Sequence, residues 1–258
     1  MNLSSRQSDI IALIRREGFQ SIEALANHFA VTPQTIRRDV NSLCDANVLR
    51  RRHGGAELLG ATLNAPYESR RVTNLEAKRR IGAAVAGLIP SRASVLFGIG
   101  TTPEQVALAM AGHEDLTVVT NNLNVAVALS AVRSNRIVLP GGVLRLPDRD
   151  FLGHDVETMF RSYRADYGVY GVGGVDRDGT LLDFEREEVA AREAIRESCR
   201  TAILVADISK VGRLAAAQGG MIWDADIIVT DAAPPEEIAA AIRKSSARLI
   251  VAGQEVTA

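Results

Sequence analysis

A cluster of residue types suited to holding a phosphate group follows the apolar run at residues 94–99. Gly100, Thr101 and Thr102 come directly before a helical pattern. Backbone N–H groups left bare by glycine, two hydroxyl donors and the positive amino-terminal end of a helix together favour a bound anion. Taken alone, these three residues are more often an ordinary helix cap, so the neighbouring loops have to supply further support.

Two further loops repeat this arrangement after the next apolar runs. Thr120 and Asn121 close the second run, and Gly141 and Gly142 follow the third, where two glycines would let the backbone approach a ligand closely. Lys210 lies just past a later apolar run and is placed to neutralise an anion. Because ligands bind beyond the carboxyl ends of parallel strands, we predict that these loops line one crevice.

Short apolar runs that alternate with helical patterns would position these loops. The predicted strands occupy residues 94–99, 117–120, 136–139, 166–172, 201–205 and 227–230. The predicted helices occupy residues 75–88, 103–112, 123–132, 153–161 and 186–199. Strands alternating with helices are typical of an α/β domain with a largely parallel sheet. We therefore predict a large α/β domain at residues 79–258.

The first sixty residues carry a different pattern, that of three short amphipathic helices. Ser21 and Thr32 are placed to cap the second and third helices, and Pro33 fits the first position of the third. A tight turn at Ala30 and Val31 separates these two helices. Two short helices around such a turn are typical of a helix-turn-helix, whose second helix lies in the major groove of DNA.

The outer face of the predicted third helix and the basic stretch after it supply groups that can contact DNA. The candidate helix residues are Thr32, Gln34, Thr35, Arg37 and Arg38. The candidate residues of the following hairpin, or wing, are Arg50, Arg51, Arg52 and His53. Glutamine pairs with adenine and arginine with guanine, while other arginines bind phosphates. We predict a winged helix-turn-helix at residues 1–60 with double-stranded DNA as partner. The alternative is a small protein–protein module with solvated arginines.

Composition and charge fit this division. The 258 residues carry a net charge of -1, yet residues 1–80 hold 13 Lys and Arg against 8 Asp and Glu, which suits contact with DNA. The polar stretch at 61–78 is predicted as a linker.

Cys44 and Cys199 lack metal-ligand spacing, so neither a metal nor a cofactor is expected. Without a signal peptide or a membrane-spanning apolar run, we expect a cytoplasmic protein with no membrane partner.

The N-terminal motif resembles that of a known family of bacterial regulators. The segment T-P-Q-T-I-R-R-D-V at 32–40, followed by R-H-G-G-A at 52–56, is similar to the signature of the DeoR family. That signature joins a hydroxyl residue, I-R-R-D-L and a later G-G-A wing. The resemblance continues over essentially the whole chain. It implies a transcriptional repressor whose C-terminal sensor domain resembles the ribose-5-phosphate isomerase fold and binds a small phosphorylated metabolite.

The same resemblance implies an effector pocket. The matching positions are Gly100, Thr101, Thr102, Thr120, Asn121, Gly141, Gly142, Asp176, Glu188 and Lys210. Gly98 departs from the family pattern, which has an acidic residue at that position. The stretches 64–70, 99–104, 119–126 and 178–182 are similar to family members that respond to glycerol 3-phosphate. That compound, or a related sugar phosphate, is therefore the implied effector.

Two other functions would use the same residues. In a sugar-phosphate isomerase with an appended DNA-binding domain, Glu188 or Asp176 would be the general base, although nothing in the spacing pairs a base with an acid. An architectural DNA binder would leave the clustered loops unexplained. We expect a regulator without enzymatic activity. Because operators are usually repeated and one reading domain binds weakly, we also expect a homo-oligomer, either a dimer or a tetramer.

Overall fold

The chain divides into two compact units, Met1–Ser69 and Arg70–Ala258. The computed structural model describes residues 4–17, 19–46, 48–52, 54–58 and 64–253. In these ranges no helix is both long enough and apolar enough to cross a membrane. The predicted linker at 61–78 contains one short helix and the start of another within its described part. The domain boundaries read from the sequence stay a prediction.

The N-terminal unit consists of three helices and a small antiparallel sheet. Its elements are α1 (Ser5–Glu17), β1 (Gln20–Ser21), α2 (Ile22–His28), α3 (Pro33–Asp45), β2 (Leu49–Arg52) and β3 (Gly55–Leu58). The strands lie in the order β1-β3-β2. The Ser21 hydroxyl accepts a hydrogen bond from Ala24 N–H, and the Thr32 hydroxyl accepts one from Thr35 N–H, so both predicted caps are present. The predicted winged helix-turn-helix is confirmed.

One apolar cluster joins the three helices to the wing. Its buried members are Ile10, Leu13, Ile14, Ile22, Leu25, Ala26, Ile36, Val40, Leu43, Leu49 and Ala56. Ile36, Val40 and Leu43 project from one side of α3, as their helical spacing predicts. Their burial determines which side of α3 faces outward. The orientation of the candidate DNA-contacting residues therefore depends on this core.

The C-terminal unit is a parallel α/β domain, which confirms the predicted class. Its helices are α4 (Tyr67–Val72, across the boundary), α5 (Leu75–Ala86), α6 (Thr101–Ala109), α7 (Leu123–Leu129), α8 (His154–Arg161), α9 (Arg186–Glu197) and α10 (Glu236–Lys244). Its strands are β4 (Ser94–Phe97), β5 (Thr117–Thr120), β6 (Arg136–Val138), β7 (Ala165–Tyr170), β8 (Gly174–Val175), β9 (Thr180–Asp183), β10 (Cys199–Val205), β11 (Ala217–Met221), β12 (Ile227–Thr230) and β13 (Arg248–Val251).

Seven of these strands form one parallel sheet, in the order β13-β12-β10-β7-β4-β5-β6, and β11-β9-β8 form a small antiparallel sheet. Alternate residues of β4 enter different cores. Val95 and Phe97 pack with α5, α6 and α7, whereas Leu96 packs with α8, α9 and α10. Helices thus cover both faces of the sheet, as parallel sheets require.

The strand order reverses beside β4. Strands β5 and β6 lie on one side of it, and β7 begins the other side. Open α/β sheets bind ligands at such a reversal, beyond the carboxyl ends of the strands. A Cβ on Gly171, just after β7, would lie 3.4 Å from Pro103 Cδ and 3.6 Å from Val205 O. The loop after β7 therefore touches both the first turn of α6 and the end of β10.

Gly55 occupies a position in the wing that has no room for a side chain. A Cβ there would overlap the carbonyl oxygen of Gln20 and lie 2.7 Å from Phe19 Cζ. We predict that Gly55→Ala separates β1 from β3 and lowers the free energy of unfolding of the N-terminal unit by about 2 to 4 kcal/mol. Urea unfolding followed by circular dichroism measures the change. Gly112→Ala, at a site with open space, is the control, and equal stabilities of the two variants would contradict the prediction.

Candidate functional site

The outer side of α3 presents the helix residues predicted to contact DNA. Thr32, Gln34, Arg37 and Arg38 are exposed, and Thr35 is half-buried. The hydroxyls of Thr32 and Thr35 are 2.9 Å apart, which holds both at the amino-terminal end of the helix. The structure thus gathers all five residues on the first turns of α3. Side chains at this end of a recognition helix reach base edges and the flanking phosphates.

The wing supplies the other candidate arginines. Arg50 and Arg51 are exposed on β2, and Arg50 Nε donates a hydrogen bond to Glu57 Oε1 at 2.9 Å across the hairpin. Arg52 is the last residue of the same strand. His53 lies outside the described residues. Arg50 is thus engaged within the wing, and the exposed Arg51 lies close to the Cys44 thiol, whose pKa its charge lowers in opposition to burial.

Asp39 is a structurally important residue of the motif to which the sequence analysis assigned no role. It is buried, and its Oδ2 accepts a hydrogen bond from Arg6 Nε at 2.6 Å, which ties α1 to α3. The ion pair orients the recognition helix and does not face outward. The signal was present in the spacing, because Asp39 follows Ile36 by three residues and so lies on the inward side of the helix.

The loop after β4 has the geometry expected of an anion site. Gly100 takes a φ of +109° at the start of α6, a conformation that favours glycine. Thr101 and Thr102 are buried, and their hydroxyls make no hydrogen bond with the residues that the structure describes. The first N–H groups of a helix also lack partners within the helix. This loop therefore offers unengaged donors at a positive helix end.

The loop after β5 braces the first loop. Thr120 Oγ1 donates to Phe97 O at 3.0 Å and accepts from Asn122 N–H at 3.0 Å. Asn122 Nδ2 donates to Gly100 O at 3.1 Å, while its Oδ1 caps α7. Asn121 is fully buried, and its Oδ1 has no hydrogen-bond partner among the described residues. Thr120 and Asn122 thus position the loop after β4, and Asn121 Oδ1 can accept a further hydrogen bond.

Lys210 lies half-buried in the short turn after β10, at the same edge of the sheet. Its ammonium group makes no hydrogen bond or ion pair with the described part of the chain. Burial lowers the pKa of Lys210 well below its usual range, Arg213, Arg70 and Lys78 lower it further, and Asp207 opposes them. Three further cations and the carboxylates of Asp207 and Asp183 therefore lie within electrostatic reach of the Lys210 ammonium. A half-buried ammonium without a bonded partner favours a bound anion.

Four other predicted effector residues are placed differently. Gly141 and Gly142 are exposed with open space around them. Asp176 lies in the turn of the β8–β9 hairpin, where its backbone closes the turn. Glu188 Oε2 accepts a backbone N–H at the start of α9 at 2.9 Å, and its Oε1 lies 3.4 Å from Arg145 Nη2. The strand end beside Asp176 is bonded to the Lys210 turn, because Val175 pairs with Val211 and its carbonyl oxygen accepts the Gly212 N–H at 2.7 Å.

Gly98, which departs from the family pattern, borders an apolar layer. A Cβ at this position would lie 3.2 Å from Ile195 Cδ1 and 3.3 Å from Tyr170 Cβ. Both neighbours belong to the core beneath α9. On this backbone an acidic side chain at position 98 would begin in the direction of that apolar core. The glycine at this position therefore does not take away a carboxylate that would point at the ligand. In the described ranges, no group of three or more His, Cys, Asp or Glu is arranged to hold a metal ion.

Comparison with known proteins places these two units in one family. The model of the DeoR-like helix-turn-helix domain matches residues 6–62, and that of the DeoR C terminal sensor domain matches residues 73–232. The chain belongs to the DeoR family. It is 43% identical to the glycerol-3-phosphate regulon repressor of Escherichia coli (strain K12), over 92% of this chain and 94% of that protein.

Two further similarities accompany this DeoR-family match. The chain is 40% identical to the glycerol-3-phosphate regulon repressor of Haemophilus influenzae, over 99% of this chain and 100% of that protein. Among solved structures, ribose 5-phosphate isomerase from Plasmodium falciparum is similar, with 12% identity, coverage of 52% of this chain and 53% of that chain, and a TM-score of 0.35.

The DeoR sensor unit also contains a buried lysine that was not among the predicted site residues. Lys78 is 3% exposed, and its ammonium donates to Thr73 O at 2.8 Å and to Arg70 O. A positive charge at the carboxyl end of α4 is favourable for the helix dipole. Burial nevertheless lowers the pKa of Lys78 to about 8. The folded sensor unit thus buries the Lys78 ammonium next to Lys210 at a cost in desolvation free energy.

We predict a pH-dependent stability difference between the wild type and Lys78→Met. The unfolded chain holds this proton up to a pKa of 10.5, whereas the folded chain releases it near 8, so between these values the unfolded state binds more protons. The Lys78 contribution to the free energy of unfolding therefore rises with pH, by about 2 kcal/mol between pH 7 and pH 9.5. Urea unfolding of both proteins measures the difference. A constant difference would mean that Lys78 stays charged throughout.

Proposed function

We propose that this protein is a sequence-specific DNA-binding transcriptional repressor of glycerol-3-phosphate metabolism genes, and that a phosphorylated effector releases it from its operators. The observation that carries the proposal is the Lys210 ammonium, which makes no ion pair with the described residues although three further cations lie close to it. A phosphate dianion is a strong hydrogen-bonding partner for such an ammonium group. The identity to relatives named glycerol-3-phosphate regulon repressors supports glycerol 3-phosphate as the effector.

In this proposal α3 reads the operator. Gln34 and Arg38 contact base edges in the major groove, and Arg37 and Arg51 contact phosphates. The exposure of all four side chains supports these roles. A homo-oligomer, dimer or tetramer, presents several such helices to repeated half-sites. The protein would act in the cytoplasm, where operator and metabolite are both available.

The effector phosphate would bind between the amino-terminal end of α6 and Lys210. Gly171 supports this placement, because it lies between the first turn of α6 and the end of β10 without a side chain to fill the space. The unengaged hydroxyls of Thr101 and Thr102 face the same helix end and can serve the phosphate or the polyol. Release from DNA requires that the effector bind the DNA-competent and incompetent arrangements with different affinities.

We do not propose isomerase activity for this protein. A general base needs an accessible, unengaged carboxylate at the substrate carbon. Both oxygens of Glu188 face groups of the protein, one a backbone N–H and the other Arg145. Asp176 Oδ1 accepts the Arg177 N–H at 2.7 Å within a hairpin turn. A likeness to an isomerase at the level of fold implies nothing about activity.

We predict that Arg38→Ala weakens operator binding at least tenfold, because a guanidinium contact to a base is worth about 1 to 3 kcal/mol. Fluorescence anisotropy with an operator fragment obtained by in vitro selection measures the Kd. Arg38 is exposed, so the unfolding midpoint should not change. Arg243→Ala, at an exposed arginine of α10, is the matched control. Equal affinities for the two variants would remove Arg38 from the interface.

We predict that Lys210→Met binds the operator like the wild type but is no longer released by glycerol 3-phosphate at millimolar concentration. Methionine keeps the length of the side chain and removes the charge that the phosphate needs. The same anisotropy assay is titrated with glycerol 3-phosphate and, separately, with glycerol. Lys244→Met, an exposed lysine at the end of α10, should respond like the wild type. If glycerol 3-phosphate leaves the wild type on its operator, the effector assignment is wrong.

A further inference from the structure

The segment after β6, residues 139–150, runs along the carboxyl edge of the sheet and is anchored there by its second half. Arg145 Nε donates to Asp150 Oδ1 at 2.7 Å, and Arg145 Nη1 donates to Glu185 Oε1 at 2.9 Å, just before α9. The backbone of Asp150 also forms a bridge with Asn122, whose amide braces the loop after β4. The anchored half therefore borders both the loop proposed to bind the phosphate and the start of α9.

Residues 140–144, here called the tip, belong to the first half of this segment and lack such anchors. In the described part of the chain they take part in no hydrogen bond or ion pair. A Cβ on Gly141 or on Gly142 would meet nothing within 4 Å. Val143 is 85% exposed, more than any other large apolar side chain that the structure describes. The tip thus exposes an apolar side chain to water on a stretch without polar attachments.

Other exposed apolar side chains lie on segments that border the same edge. Leu146, in the anchored half, is 77% exposed, and Leu214, four residues after Lys210, is 55% exposed. Val72 is 55% exposed on α4, in the segment that Asn74 bonds to the Lys210 turn. Single apolar residues on a surface need no explanation, but several around a binding cleft indicate a surface used in binding. The tip carries an apolar residue that can cover this surface when the site is occupied.

We propose that the tip is a lid, which closes over the bound effector and brings Val143 into the closed complex as a further contact residue. The inference rests on the proposed function, since it takes the effector to lie between α6 and Lys210. Closure removes water from the phosphate and so strengthens its attraction to the Lys210 ammonium. It also buries apolar side chains that the open form leaves in water. Because Arg145 keeps the second half of the segment anchored, the movement is confined to the tip, with its two glycines as the flexible part.

The test uses the full-length protein and isothermal titration with glycerol 3-phosphate at several temperatures. Burial of apolar surface on closure should give a clearly negative heat-capacity change of binding. Val143→Ser should weaken binding about tenfold and bring that heat-capacity change closer to zero, because a hydroxyl replaces two methyl groups in the closed complex. Since Val143 is exposed in the open form, the unfolding midpoint should not change. Val127→Ser, at a 63% exposed valine of α7, is the matched control, and its Kd should stay within about twofold of the wild type.

Hydrogen exchange read by mass spectrometry follows the lid itself. In the wild type, the backbone amides of the tip should exchange more slowly with glycerol 3-phosphate bound than without it. Tip exchange rates that do not respond to the bound ligand would refute the lid alone, and so would a Val143→Ser Kd equal to that of Val127→Ser. A Val143→Ser protein that keeps the wild-type Kd but sediments as a smaller oligomer would assign Val143 to a contact between copies of the chain, and the lid would be wrong. If the wild type does not bind glycerol 3-phosphate, the proposed function fails and the inference fails with it.

Discussion

Positive charge buried at the carboxyl edge of the parallel sheet is the constraint on which the C-terminal unit depends. Lys78 and Lys210 lie there with lowered pKa values, which shows that the fold accepts a substantial desolvation cost. Part of the cost is offset within the chain. The Lys78 ammonium caps two carbonyls at the end of α4, and Arg213 Nη1 donates to Gly173 O at 3.1 Å. Lys210 makes no hydrogen bond or ion pair with the described residues, and Asp207 and Asp183 are carboxylates within its electrostatic reach. The phosphate of the proposed effector would give it a direct partner.

Neutral side chains at the carboxyl edge of the sheet hold the loops near these cations in place. The amide of Asn122 spans the loops after β4 and β5, and Thr120 locks the strand end beneath them. A loop held by neutral hydrogen bonds does not have to reorganise when a charged ligand arrives, which lowers the entropic cost of binding. In the N-terminal unit, the pair of Arg6 and Asp39 has the same role. It fixes the direction of α3 from inside, so that the outward arginines need no internal partner to be oriented.

Much of this molecule was predictable from the sequence where the decisive interactions are local. The caps of α2 and α3, the inward spacing on α3, and the Gly100 loop before α6 depend on residues a few positions apart. The small sheet was not predicted, because β11, with the sequence A-Q-G-G-M, gains its strand conformation only by pairing with β9. The cationic cluster was missed for a related reason. Its members come from residues 70–78 and from the turn near residue 210, and only the sheet topology brings them together. Glu188 has the right chemistry, but its two oxygens already face the Phe184 N–H and Arg145.

Residues 70–78 are attached to the sensor unit by contacts of unequal strength. Arg71 Nε lies 3.1 Å from Glu104 Oε1, and the Glu104 side chain is only 3% exposed. A buried carboxylate loses more when a partner is removed than an exposed one does. The pair of Arg70 and Asp148 is more exposed and is worth about 1 kcal/mol or less. The attachment of this segment to α6 is therefore firmer than its attachment to the loop after β6.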